Sequence, residues 1–282
     1  MSTYNQLIHK YKKELKDKGL SLEVGKAFLF ELCNENNVDL YMNIDNESLD
    51  TIEKRFDEGM LRILNDEPMN YVLGYSYFFG YKLKVSKGCL IPRYETEELV
   101  GKILAHYDEF FNGEKVKVAD IGTGSGAIAI ALKKEEPKMD VIASDISSDA
   151  LKIAKENALM NDADIEFVEG SMLDPIIEKG IKLDILVSNP PYIKADEVLE
   201  NSVKDYEPHV ALFGGEDGLK FYRIIFENAN KVLKDKALLF FEIGYDQKEN
   251  LTALASNYFK NAEIKVFKDI NNKDRMLMIK QG

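Results

Sequence analysis

The chain has little of what most hydrolytic and metal-dependent enzymes work with. Only three histidines occur in 282 residues (His9, His106 and His209), and they form no motif. That weakens any zinc-based or histidine-assisted nucleophilic scheme. Cysteine is scarcer still: Cys33 and Cys89 are far apart and show no metal-ligand spacing. They read as two partly buried small hydrophobes, not as a disulfide. No apolar run approaches the length of a membrane span. The opening MSTYNQLIHKYKKELK lacks the apolar core of a secretion signal, so the expected location is the cytoplasm. Positive charge is in deficit as well: 37 Lys and Arg stand against 49 Asp and Glu, a net charge of −12. Nucleic-acid binders usually carry a basic footprint, so a protein or small-molecule partner is favoured over direct contact with a nucleic acid.

What is present is a two-part pattern. Over residues 3–18, Tyr4, Leu7, Ile8, Tyr11 and Leu15 recur at helical spacing. Ser21 can cap a second helix through Cys33, and Asn46 or Ser48 a third running to about Leu64. Pro68 should end helical structure. These features predict a helical domain over residues 1–70. Residues 71–94 interleave aromatic and β-branched residues with Gly74, Gly80 and Gly88, which predicts a β-hairpin linker. A helix is expected over 95–110.

From Val116 onward strands and helices alternate. Strands are expected at 116–121, 140–145, 164–168, 183–188, 237–243, 263–267 and 274–280. Helices are expected at 126–135, 147–160, 216–234 and 247–257. This rhythm predicts an α/β domain over 95–282 built on a mainly parallel sheet. The loop between the final two strands is too short for a parallel crossover, so the last strand should be antiparallel.

Ligands of such sheets bind beyond the carboxyl ends of the strands. The first strand runs into Asp120, Ile121, Gly122, Thr123, Gly124, Ser125 and Gly126. Glycines allow a tight turn and close backbone approach, and the following helix offers free N–H groups. The G-x-G-x-G spacing is one residue tighter than the dinucleotide fingerprint. It suits a ligand without a pyrophosphate, with Asp120 placed to receive a cationic amino group. The second strand ends at Asp145, where a carboxylate can accept both hydroxyls of a ribose. After the third strand, Ser171 and Met172 are placed to border an adenine ring. Each feature also has a plainer reading, as a glycine turn, a solvated acid and a loop with a core methionine.

The fourth strand runs into Asn189, Pro190, Pro191 and Tyr192. Two prolines make the segment stiff and free of competing donors. That suits a planar –NH2 group, whose delocalised lone pair makes it a poor nucleophile. Asn189 Oδ1 and the Pro190 carbonyl can each accept one of its N–H bonds. Tyr192 can stack on the flat group and favour developing positive charge. Positioning and electrostatics then suffice without a general base. The tetrapeptide alone leaves adenine, cytosine and side-chain amide open.

At these residues the chain resembles the class I, Rossmann-like methyltransferases of planar amino groups. That fold is a mainly parallel seven-stranded sheet with an antiparallel last strand, here joined to a small N-terminal helical domain. Leu90–Glu97 (LIPRYETE) resembles the LIPRPETE segment of the PrmC/HemK family of release factor glutamine methyltransferases. Tyr206–Leu219 (YEPHVALFGGEDGL) and the Glu67–Gly80 stretch resemble two further segments of that family. The resemblance implies methyl transfer from S-adenosylmethionine to N5 of the glutamine in the Gly-Gly-Gln motif of class I peptide chain release factors, with the helical domain helping to dock them. It assigns Gly122 to Gly126, Asp145 and Met172 to the cofactor, Asn189 to cofactor and glutamine, and Pro190 to Tyr192 to the glutamine pocket. Arg93 and Glu95 fall in a segment that closes over the site, where an ion pair clamping the linker is an equal alternative. Adenine-N6 methylation of nucleic acid is the competing activity. Tyr94 stands where the family usually has Pro, and Ser171 where many members have Asp.

Overall fold

The structure, a computed structural model, describes residues 2–282. The chain divides into two compact units, one running to Gly74 and taking in Glu200–Tyr206, the other formed by Tyr75–Leu199 and Glu207–Gly282.

The first unit is helical: α1 (Tyr4–Lys10), α2 (Lys12–Asp17), α3 (Leu22–Glu35), α4 (Asp50–Leu64) and α5 (Met69–Leu73). The single helix expected over 3–18 is broken at Tyr11, whose hydroxyl donates to Asp57 on α4 at 3.0 Å. Ser21 caps α3 as expected, accepting from Glu23 N. The cap of α4 is neither Asn46 nor Ser48 but Leu49, which makes no side-chain cap bond; Ser48 is buried and donates to Glu53. Phe28 stacks on Phe56 with centroids 5.9 Å apart, and only a glycine at position 59 leaves room for the Phe28 ring. Pro68 does not end helical structure: it stands at the N-cap of α5, where its missing N–H costs nothing.

The second unit opens with a hairpin, β1 (Tyr75–Phe78) and β2 (Tyr81–Lys84). Its two-residue turn puts Phe79 at φ 51° and Gly80 at φ 82°, the left-handed pair that tight hairpins require. The hairpin thus belongs to the sheet unit, and the division falls at Gly74, not at residue 70.

Then follow α6 (Tyr94–Phe111), β3 (Val116–Ile121), α7 (Ala127–Glu135), β4 (Met139–Asp145), α8 (Ser148–Met160), β5 (Glu166–Glu169), α9 (Asp174–Glu178) and β6 (Leu183–Ser188). The chain visits the helical unit with α10 (Asn201–Tyr206) and closes with α11 (Lys220–Val232), β7 (Leu233–Glu242), α12 (Lys248–Tyr258), β8 (Glu263–Lys268) and β9 (Asp274–Gln281). Sheet order is β5-β4-β3-β6-β7-β9-β8. β9 runs antiparallel to both neighbours and the other strand pairs are parallel, as the sequence predicts. Strands β3 and β6 are buried almost throughout, being covered on both faces.

Two apolar clusters, one on each face, sandwich the sheet. The order reverses between β3 and β6, so their carboxyl ends open the crevice where such sheets bind ligands. Those ends carry Gly122 and Asn189.

Candidate active site

A cavity of about 350 Å³ lies at this reversal point, lined among others by Gly122, Gly124, Asp145, Ser171, Met172, Asn189 and Pro191. Gly122 and Gly124 sit at φ +74° and +56°, and a Cβ built on either meets nothing within 4 Å. The loop therefore presents bare backbone to open space. Asp145, at the end of β4, holds the loop's shape: Oδ2 accepts from Gly124 N at 2.8 Å and Oδ1 from Ser147 N at 2.9 Å. Each oxygen keeps lone-pair capacity for a further donor. Burial raises its pKa against the pull of these N–H groups. Met172 is held at φ +46°, a costly conformation for a residue with a side chain and a mark of a site under constraint.

Four residues expected to touch the ligand do not line the cavity. Asp120 is fully buried and does not line the cavity. Its Oδ2 accepts from Thr123 Oγ1 at 2.6 Å, so both side chains shape the loop from inside. Burial pushes the Asp120 carboxyl up to about 7, and its Oδ1 has no partner. Ser125 is buried, and its carbonyl accepts from Asn157 Nδ2 at 2.9 Å. Asn157, itself fully buried, also exchanges hydrogen bonds with the Lys84 backbone and so ties hairpin, α8 and loop together. At Gly126 a Cβ would press on Ala154 and Ile130 at 3.2 Å: that glycine lets helices approach rather than a ligand.

The tetrapeptide borders the same cavity through Asn189 and Pro191, while Pro190 is buried and outside its lining. Ser188 just before it donates to the Ile121 carbonyl at 2.7 Å, locking the ends of β6 and β3 together. Tyr192 does not line the cavity, and its hydroxyl donates to Glu242 Oε1 at 3.2 Å. Burial, then the charge of Glu242, pushes that hydroxyl's pKa well up, so it stays a donor. The Tyr192 carbonyl accepts from Gln247 Nε2 at 3.1 Å.

Glycines of the Tyr206–Leu219 segment clasp the tetrapeptide from outside. A Cβ on Gly214 would lie 2.5 Å from the Pro191 carbonyl oxygen, and one on Gly218 would collide with the Tyr192 carbonyl. The Gly214 amide also donates to Ile193 O at 2.8 Å. Arg93 pairs with Glu207 at 2.5 Å, joining the Leu90–Glu97 segment to this one. Glu207 is almost wholly buried. Of the two readings for Arg93, the structure carries the clamp. Glu95 lies half-buried in the first turn of α6.

Several groups of the site carry no local signal. Glu242, at the end of β7, is buried and accepts from Thr96 Oγ1 at 2.5 Å. Cys89, Leu90, Ile146 and Phe221 complete the apolar wall of the cavity. Among the described residues no cluster of His, Cys, Asp or Glu is arranged to hold a metal ion, and no helix is long and apolar enough to cross a membrane.

Comparison with known proteins converges on one kind of enzyme. A methyltransferase small domain matches residues 102–206. The release factor glutamine methyltransferase of Bacillus cereus is 41% identical over 265 residues, 93% of this chain and 94% of that one. That of Staphylococcus aureus is 36% identical over 280 residues, 96% of this chain and 99% of its own. That of Bacillus subtilis is 45% identical over 213 residues, 74% of each chain. Among solved structures, a methyltransferase from Pyrococcus furiosus superposes with a TM-score of 0.54 at 18% identity, covering 80% of this chain and 99% of that one. At that identity it supports the class I methyltransferase fold alone.

Proposed function

The chain belongs to the release factor glutamine methyltransferase family, and from that premise we propose how its residues transfer a methyl group to a release factor. The acceptor is N5 of the glutamine in a Gly-Gly-Gln motif of class I peptide chain release factors, and the donor is S-adenosylmethionine. One observation carries the reading. Asn189, at the end of β6, borders the same cavity as Gly122, Gly124 and Asp145.

The residues fit the donor. Two glycines at positive φ leave open space over the loop, and Asp145 retains acceptor capacity for a diol. Met172 and Ser171 line the part suited to an aromatic base. When bound, S-adenosylmethionine supplies an electrophilic methyl group on a sulfonium.

The protein's part is to hold the amide nitrogen still. Asn189 Oδ1 and the Pro190 carbonyl accept its two N–H bonds, which directs its remaining electron pair toward the cofactor side of the cavity. Fixed acceptors in a water-poor site also favour the positive charge that develops on nitrogen, at no cost in reorganisation. The Tyr192 hydroxyl, engaged by Glu242, holds the far end of the tetrapeptide in place. The proton leaves after methylation, when the nitrogen is acidic, so the scarcity of histidine is no obstacle. The helical unit serves to dock the release factor.

Incubation with labelled S-adenosylmethionine and a release factor tests the reading. The intact factor becomes labelled, and the factor carrying Gln→Ala in Gly-Gly-Gln does not. Equal labelling of both overturns the glutamine assignment. A base-methylating reading is disfavoured by the acidic balance and by curated relatives over nearly the whole chain.

A further inference from the structure

We infer that Thr96 and Glu242 are positioning residues that fix which end of the Asn189 amide faces the substrate. The inference rests on the role given to Asn189 above. Three hydrogen bonds join the groups: Asn189 Nδ2 donates to Thr96 Oγ1 at 3.3 Å, Thr96 Oγ1 donates to Glu242 Oε2 at 2.5 Å, and Tyr192 OH donates to Glu242 Oε1 at 3.2 Å.

Their directions follow from which atoms hold protons. Glu242 accepts at both oxygens, from Thr96 at one and from Tyr192 at the other, so the single O–H of Thr96 is committed to Glu242. The Thr96 oxygen then has only lone pairs to offer Asn189, and only the –NH2 end of the amide can meet it. With Nδ2 pinned on Thr96, Oδ1 is left for the cavity that Asn189 lines. An incoming glutamine –NH2 requires an acceptor there. The flipped amide would set two –NH2 groups against each other and leave Thr96 facing an oxygen with no proton to share. Glu242 thus dictates the polarity of Asn189 through Thr96, while its other oxygen engages Tyr192. Both ends of the tetrapeptide hang on one buried carboxylate supplied by a different strand.

Three variants test this with the full-length enzyme, S-adenosylmethionine and a release factor. Thr96→Val keeps shape and loses the acceptor; kcat falls at least about 30-fold while cofactor Kd, read by calorimetry, stays within about two-fold. Thr96→Ser restores the hydroxyl and recovers at least about ten-fold of that loss. The sharpest arm reverses the relay. Asn189→Asp sets an acceptor against Thr96 while its proton is engaged by Glu242, and activity collapses. Adding Glu242→Gln supplies a donor to Thr96 and frees its proton for Asp, so the double variant exceeds Asn189→Asp alone by about ten-fold or more. A merely structural Thr96 gives Thr96→Val an unchanged kcat and the double variant no rescue; either result overturns the relay. Absence of release factor labelling by the wild-type enzyme instead overturns the functional reading and the relay with it.

Discussion

The two ends of the cavity are built in different ways. The loop end is held by its own backbone and near neighbours. Asp145 grips the Gly124 amide, Thr123 caps Asp120, and the glycines supply the turn. The amide end is held by side chains gathered from across the fold. Thr96 comes from α6, Glu242 from β7, Gln247 from the turn before α12, and Gly214 and Gly218 from the loop before α11. A loop that binds a cofactor needs a surface, and backbone provides one. A site that orients a weak nucleophile needs fixed proton directions, and those require side chains with buried partners. Damage should therefore separate, with loop variants changing affinity for the cofactor and amide-end variants changing turnover.

Asn189→Ala tests that separation most severely. Transfer falls on the order of 100-fold or more, because an acceptor that orients the nucleophile is gone. Cofactor Kd stays within a few fold by calorimetry; unchanged turnover would remove Asn189 from its role. Asp145→Ala is the counterpart at the loop end. Loss of charge-assisted acceptors weakens the cofactor by about 2–3 kcal/mol. The same calorimetry reads it, and an unchanged Kd would break the assignment. Gly214→Ala tests the clasp. Its Cβ would press on the Pro191 carbonyl, so the tetrapeptide must shift, and kcat drops on the order of ten-fold with stability lowered by about 1–3 kcal/mol. A variant with wild-type kcat would show the tetrapeptide to be less constrained than its surroundings imply.

The smallest effect concerns pH. Asp120 is a carboxyl whose folded-state pKa lies above its unfolded value, at about 7. Folding then favours the protonated form, so the contribution of Asp120 to stability is fully present at low pH and is lost as pH rises toward 7, levelling off above it. Burial raises Asp145 and Glu242 in the same direction. In urea unfolding, Asp120→Asn should lose less stability than wild type between pH 5 and pH 8, by on the order of 1–2 kcal/mol. Parallel pH curves would show that Asp120 is not a buried acid carrying this penalty.

The same division governs what could be read from the sequence. The loop, Asp145 and the tetrapeptide are contiguous signals at strand ends, and their order along β3, β4 and β6 follows from the alternation of strands and helices. The strands from Val116 onward lie within a few residues of their expected bounds, and the central ones, β3 and β6, are clearest because both their faces are buried. Glu242 and Thr96 are 146 residues apart, and Arg93 and Glu207 are 114 apart. Arg93, Thr96 and Glu207 lie in segments that stand out in the sequence, but nothing local shows what they pair with, and Glu242 carries no signal. A carboxylate ending a strand looks solvated until the fold buries it. Asp120 is the opposite case: its motif suggests ligand contact, and the fold buries it where Thr123 donates to it. Pro68 read as a stop and is a start, since both uses exploit the same missing N–H. The inclusion of Glu200–Tyr206 in the helical unit has no sequence cue at all.

The central claim is that the tetrapeptide holds a release factor glutamine. Peptide-resolved mass spectrometry of a release factor treated with wild-type enzyme and S-adenosylmethionine, with Asn189→Ala in parallel, tests it most directly. The account predicts a one-methyl increase confined to the glutamine of the Gly-Gly-Gln peptide and nearly absent with Asn189→Ala. Methylation on another residue, or equal methylation by both enzymes, would contradict it.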